Sequence, residues 1–250
     1  MIYDAHAHIG TKEERLIRKQ TPIVSMICAQ DPKEAVFLQQ LANGSDSTWI
    51  VPTFGLHPWQ SADYAFDQML PFLEKASIIG EIGMDNVWCE IPLSRQQFIF
   101  EKQLAFACEH KKPVILHTKG QEKEIAKLIR QYPNRYLVHW YSDLNGLEDY
   151  LDQDCYFTLG PDLKKNLAVQ HVLASAPFDR ILVETDGWSA VEWAFEEEQK
   201  VNDNENSRLS LSALPDILLE NMRYIANYHN CSLEEVTKRL EKTFHSFTGI

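Results

Sequence analysis

Ser77–His117 reads SIIGEIGMDNVWCEIPLSRQQFIFEKQLAFACEHKKPVILH, a helical pattern between two strand-like runs. Ser77–Gly83 and Pro113–His117 are short, nearly continuous apolar segments, as expected of strands buried on both faces of a parallel sheet. Between them, Leu93–His110 predicts a helix. Within Gln97–Cys108, Phe98, Leu104, Ala105 and Cys108 recur at helical spacing as the apolar face, with Glu101, Lys102 and Gln103 on another. Parallel strands need a crossover of this kind, so the stretch reads as one β-α-β unit.

The alternation continues outward in both directions. Further strands are expected at Ile2–Ile9, Ile23–Ala29, Thr48–Leu56, Tyr136–His139, Cys155–Leu159 and Ile181–Thr185, eight in all, with helices at Pro32–Leu41, Asp63–Lys75, Glu122–Gln131, Leu144–Leu151 and Leu163–Ala174. Asp31 before Pro32 is an N-cap followed by an N1 proline. Repeated crossovers of one hand close such a sheet, which predicts an α/β chain of the (β/α)8 TIM barrel type, with a doubly wound open sheet as the competitor. Two long helical patterns, Leu211–Tyr228 and Ser232–Phe247, are expected to complete the outer layer. No linker or repeat divides the chain, so residues 1–250 are expected to form a single domain.

Composition narrows the function classes. The 250 residues are 44% hydrophobic and 24% charged, enough for a sizeable core and incompatible with disorder. Lys and Arg total 24 against 36 Asp and Glu, a formal charge of −12, so any phosphate chemistry must rely on a local site. Five cysteines, at 28, 89, 108, 155 and 231, include no CxxC pair, which argues against a disulfide framework or a thiolate zinc site and fits a reducing cytoplasm. No apolar run reaches the roughly 18 residues of a membrane helix, and Met1–Gly10 carries Asp4, His6 and His8 where a signal peptide would be apolar. Neither a membrane association nor an obligate protein partner is implied.

The chemistry sits at predicted strand ends. His6 and His8, two residues apart on the first strand, share a face and can grip one metal ion. Glu81, His117, His139 and Asp186 each stand at the C-terminal side of another strand, the side on which a barrel builds its active site. Singly, each also reads as a helix cap or a core histidine; together they form a set of four imidazoles and two carboxylates without thiolates. That set suits Zn, Mn, Fe, Co or Ni better than Ca, and exceeds the needs of one tetrahedral ion. Two divalent metal ions about 3.5–4 Å apart, with one carboxylate bridging, would use all six.

The ordered motifs HxH, GLHPW, GEIGMD, PVILH, VHW and ETD resemble the TatD family of metal-dependent hydrolases and deoxyribonucleases across nearly the whole chain. The resemblance implies a TIM barrel with one or two divalent ions, Mg among the candidates. It also implies that His6, His8 and Asp186 hold one ion and His117 and His139 the other, that Glu81 bridges them, and that Asp186 takes the proton of the attacking water. His57 matches a position that touches a substrate phosphate. Lys119 stands where arginine is common and supplies one positive charge without the bidentate fork. Asp85 and Glu184 fit acceptors for imidazole N–H groups better than metal ligands.

Three departures bear on substrate. After ETD this chain reads Gly187-Trp188-Ser189 and then, within the acidic stretch Glu192–Asn206, Glu196-Glu197-Glu198, where many members carry Ser-Pro and a basic segment. Three glutamates facing the mouth would oppose a polyanion, whereas on a solvated helix face they would be neutral to it. Thr243 and Trp140 replace the asparagine and phenylalanine common elsewhere, and Trp59, Trp140 and Trp188 are candidates for an apolar or base-stacking rim. The expected function is therefore hydrolysis of a phosphodiester in DNA or of a small phosphoester. The alternatives are an amidohydrolase acting on a small amide or lactone and a non-catalytic barrel.

Overall fold

The computed structural model describes residues 1–44, 47–202 and 209–250, with side chains for all of these except 197–202. Eight parallel strands form one sheet in sequence order: β1 (Ile2–His8), β2 (Ile23–Ala29), β3 (Ile50–Phe54), β4 (Ile79–Gly83), β5 (Val114–His117), β6 (Tyr136–Val138), β7 (Tyr156–Leu159) and β8 (Ile181–Val183). The ends of the sheet meet. The Asp186 N–H donates to the His6 carbonyl (3.0 Å) and the Thr185 N–H to Asp4 Oδ1 (2.9 Å), joining the chain after β8 to β1. The molecule is thus a (β/α)8 barrel, and the doubly wound alternative is excluded.

The helices are α1 (Lys12–Gln20), α2 (Pro32–Ala42), α3 (Phe66–Leu73), α4 (Leu93–Glu109), α5 (Glu122–Ile129), α6 (Leu147–Leu151), α7 (Leu167–Ser175), α8 (Trp188–Asn202), α9 (Leu214–Tyr228) and α10 (Leu233–Thr248). Asp31 caps α2 as expected, its side chain accepting from the Lys33 and Glu34 amides. No helix among the described residues is long and apolar enough to cross a membrane.

Three features were not legible in the sequence. First, α1 carries no apolar stripe because its buried residues are Glu14 and Arg18, an ion pair that hydrophobic periodicity cannot reveal. Second, α4 turns a different face inward. Phe98 and Ala105 are exposed, and the buried stripe is Gln96, Ile99, Phe100, Gln103, Leu104 and Ala107. Gln103 is drawn in because its amide satisfies the backbone after β3, accepting from the Leu56 N–H (2.7 Å) and donating to the Leu56 carbonyl (3.0 Å). Third, α10 does more than extend the outer ring. Its Phe244 and Phe247 join Tyr3 and Tyr156 in the cluster that fills the barrel interior, so this helix closes the N-terminal end.

The core therefore has two layers. Ala5, Met26, Ile115, Leu137 and Leu182 fill the barrel, and a larger cluster packs the outer strand faces against the helices. With one end plugged, the C-terminal end of the strands is left for a site.

Candidate metal centre

Simple alternation carries the barrel interior into the site on three strands. Ile115, Leu137 and Leu182 point inward, and the next inward positions are His117, His139 and Glu184. On β1 and β4 alternation alone fails. Tyr3 and Ala5 belong to the interior cluster and Ala7 to the outer one, so the inward row changes parity between Ala5 and His6. The pairing shows how: Asp4 faces Ser25 and Ala7 faces Ile27, three steps on β1 against two on β2. An identical extra residue lies in β4, where Ile79 faces Val114 and Ile82 faces Leu116. These bulges aim His6, His8 and Glu81 into the mouth.

There the six side chains converge. Glu81 Oε2 lies 3.3 Å from His6 Nε2 and 3.6 Å from His8 Nε2, and Asp186 Oδ1 lies 3.2 Å from both imidazoles. The other oxygen of Glu81, Oε1, lies 2.7 Å from His117 Nδ1 and 2.7 Å from His139 Nε2. One carboxylate thus faces two separate groups, one with each oxygen. His6 Nε2, Glu81 Oε2 and Asp186 Oδ1 are buried without a hydrogen-bond partner although they approach one another closely. Imidazoles and carboxylates converging on one buried space form a donor set for divalent cations once the imidazoles give up their protons. Among the described residues, the groups able to hold an ion are His6 with His8 and Glu81, His6 with His139 and Asp186, and His57 with Glu81 and His117.

The electrostatics follow from packing charge into a buried space. Burial opposes ionisation of Glu81, yet His139, His6 and His117 hold its carboxyl well below the usual range. Burial likewise presses the imidazoles down. Cys28 and Glu81 outweigh it at His6, which stands well above its ordinary value, and Glu81 pushes His139 up to about 10. Asp186 is drawn far down by the close imidazoles of His6 and His8, against burial, and so remains ionised. Its φ of 58° is a left-handed conformation unusual outside glycine, the kind of strain that clusters at functional sites.

The remaining expected residues are also here. His57 is buried with Nε2 3.7 Å from Glu81 Oε1, and burial lowers its pKa to about 4, leaving a neutral ring. Lys119 reaches the mouth and donates to Ser142 Oγ (2.9 Å). Asp85 Oδ2 lies 3.0 Å from His117 Nε2 and accepts from Trp59 Nε1 (2.7 Å); burial opposes its ionisation, but these bonds and the Trp88 amide hold it low. Glu184 Oε1 lies 3.4 Å from His139 Nδ1. Two neighbours escaped sequence reasoning: Cys28, whose Sγ is 3.3 Å from His6 Nδ1, and Gln30, whose Nε2 is 3.3 Å from His8 Nδ1. Cys28 sits on the same inward row as Met26, which is the signal that would have found it.

The rim differs from expectation. Trp59 and Trp140 line the mouth with Trp88 and Trp193, whereas Trp188 is buried beside it. At the start of α8 the Trp188 amide donates to Glu14 Oε1 (3.3 Å). Glu192 and Glu196 are exposed on α8; the side chains of Glu197 and Glu198, and residues 203–206 altogether, lie outside the described residues.

Close backbone approach at Gly83 supports the geometry. A Cβ there would lie 1.8 Å from the His117 carbonyl oxygen, a backbone atom that cannot move without parting β4 from β5. Gly83→Ala is therefore expected to weaken metal binding at least tenfold and to lower stability by about 1–3 kcal/mol. Metal titration with a thermal melt checks this, and wild-type behaviour in both would refute the coupling.

Comparison with known proteins agrees with this architecture. The uncharacterized metal-dependent hydrolase YabD of Bacillus subtilis is 24% identical over 203 residues, covering 74% of this chain and 80% of the relative. The 3'-5' ssDNA/RNA exonuclease TatD of Rahnella is 29% identical over 182 residues, covering 64% and 65%. The crystal structure of the TatD homolog YJJV from Escherichia coli superposes with a TM-score of 0.79 at 19% identity, covering 100% of this chain and 98% of that one. The family model of TatD related DNases matches residues 3–249, and the chain belongs to that family.

Proposed function

We propose that this chain hydrolyses phosphodiester bonds in nucleic acid with two divalent cations, one held by His6, His8 and Asp186, the other by His117 and His139, with Glu81 shared. The observation that carries this reading is the division of Glu81, Oε2 toward one histidine pair and Oε1 toward the other. When bound, such cations polarise a phosphoryl oxygen and lower the pKa of water. Asp186, ionised and partly open to the mouth, takes the proton from the attacking water. Asp85 and Glu184 orient the rings of His117 and His139. Neutral His57 and the Lys119 ammonium contact the phosphate. Relatives named as ssDNA/RNA exonucleases support the substrate class. All eight strands form one sheet, which supports a single domain over residues 1–250, and five free cysteines suit a reducing cytoplasm.

Elemental analysis of protein purified without chelators is expected to find about two metals per chain. Single-stranded DNA cleavage with Mg²⁺, Mn²⁺ or Zn²⁺ is expected on the same sample. Bound metal with inert phosphoesters and turnover of a small amide or lactone would overturn the substrate class in favour of amidohydrolysis. Less than one metal per chain would overturn the two-cation site.

Metal affinity should also depend on pH in a stated direction. Imidazoles must lose their protons to bind, and the carboxylates hold His6, His117 and His139 protonated beyond their ordinary range when no cation is present. Metal binding is therefore expected to release protons and to weaken as pH falls. Isothermal titration in buffers of different ionisation enthalpy measures the release; an affinity independent of pH between 5 and 8 would contradict it.

A further inference from the structure

Four of the six tryptophans stand at the mouth, around a cavity of about 300 Å³ that opens onto His117, His139 and Asp186. The Trp193 ring on α8 meets Trp88 at 6.0 Å and Trp140 at 6.1 Å, both edge to face. Trp88 is 57% exposed and Trp193 43%, a concentration of apolar surface that marks a binding site. The other two rings are anchored. Trp140 donates to Asp162 (2.8 Å) and lies so close to Gly160 that a Cβ there would approach its ring to 2.6 Å, and Trp59 donates to Asp85. Among the described residues lining this cavity, Lys119 is the one Lys or Arg, and the whole chain carries −12.

Rings of this kind next to a phosphate-directed centre suit a flat heteroaromatic group, and a single cation suits a single phosphate. Resting on the phosphodiesterase reading, we propose that the cavity seats one unpaired nucleobase against the tryptophans with the adjoining phosphate at Lys119. Dinucleotide-sized fragments are then as good substrates as long strands. A longer strand adds phosphates that meet no further Lys or Arg among the described residues lining this cavity, and a net negative field, so added length is expected to bring no added affinity.

The test uses the metal-loaded protein with a dinucleotide, the same dinucleotide with each base removed in turn, and a 20-mer. The dinucleotide and the 20-mer are expected to agree in kcat/KM within about threefold, with a salt slope near −0.7, that of one neutralised phosphate. Removing one of the two bases is expected to lower kcat/KM about 5- to 150-fold, the equivalent of the ~1–3 kcal/mol of one stacked base. In Trp193→Ala that ratio is expected to collapse toward one through KM, while Trp193→Phe keeps most of it. Quenching of tryptophan fluorescence by thymidine 5'-monophosphate, and not by ribose 5-phosphate, reports the seat without catalysis. A 20-mer preferred more than tenfold, a slope steeper than about −2, or an unchanged ratio in Trp193→Ala overturns the proposal. Nucleotide quenching without cleavage of any phosphodiester upholds the base seat and removes the hydrolase reading. Cleavage without base discrimination does the reverse.

Discussion

Glu81→Ala is expected to lower phosphodiester hydrolysis by about 10³-fold and to abolish the binding of two metal ions per chain. Its two oxygens are the atoms common to both histidine groups, so the substitution removes a shared ligand from each. Stabilisation of transition-state charge by metal ions is worth several kcal/mol, and about 4 kcal/mol corresponds to three decades in rate. The loss should fall on kcat, whereas Lys119→Ala should act mainly on KM because Lys119 lines the rim of the cavity, where the substrate phosphate is proposed to bind. Folding should survive, since loss of the carboxylate lets the neighbouring imidazoles shed their protons more readily. Metal analysis, steady-state kinetics and circular dichroism on the folded variant decide the matter. Retention of two metals, or small and equal losses in both variants, would rule out a shared Glu81.

Arg18→Met should produce the largest loss of stability. Arg18 is fully buried and donates to Asp4 Oδ2 (2.6 Å), Ser25 Oγ (2.7 Å), Thr185 Oγ1 (2.9 Å) and Glu14 Oε1 (3.1 Å). Asp4 also accepts from Thr185 N–H and Oγ1, and Glu14 from Trp188 N–H. One guanidinium therefore ties β1, β2 and α1 to the turn that carries Asp186. Removing it leaves two carboxylates buried without a cation, at about 3–5 kcal/mol. For a chain of this size each kcal/mol moves Tm by about 2–4 °C, so a fall of about 10 °C is expected. Metal affinity should drop with it by about 10- to 100-fold, because the Asp186 turn loses its support. Adding Asp4→Asn and Glu14→Gln to Arg18→Met should recover part of the stability by removing the stranded charges. A shift below 3 °C in the single variant, or no recovery in the triple, would show that water already reaches this network.

Much of this was legible in the chain because it follows short-range rules. All eight strands lie where apolar runs of strand length predict them; β2 matches its expected bounds, and no end of the others is trimmed by more than two residues. Asp31-Pro32 starts a helix as N-cap chemistry requires. His117 and His139 could be placed together because each follows an inward residue by two positions on an uninterrupted strand. The errors share a cause. The stripe on α4 was misjudged, and α1 passed unnoticed, because polar side chains face inward in both: Gln103 serves the Leu56 backbone and Glu14 and Arg18 serve each other. Hydrophobic periodicity detects burial that removes apolar surface from water, not burial bought by hydrogen bonds.

The chain alone was enough to favour the barrel over a doubly wound sheet, since the order of apolar runs and helical crossovers leaves a right-handed parallel topology few ways to close. It also determined which six polar side chains stand at one end of the strands. Tertiary structure alone decided how they meet. The extra residues in β1 and β4 appear only when neighbouring strands are paired, yet they set whether His6 and Glu81 face the cavity or the helices. The rim was likewise undecided until folding, because Trp88 and Trp193 lie 105 positions apart and carry no local signal of their neighbourhood. Side-chain identity and spacing are properties of the chain, whereas register and convergence are properties of the packed sheet, and the chemistry of this site depends on both.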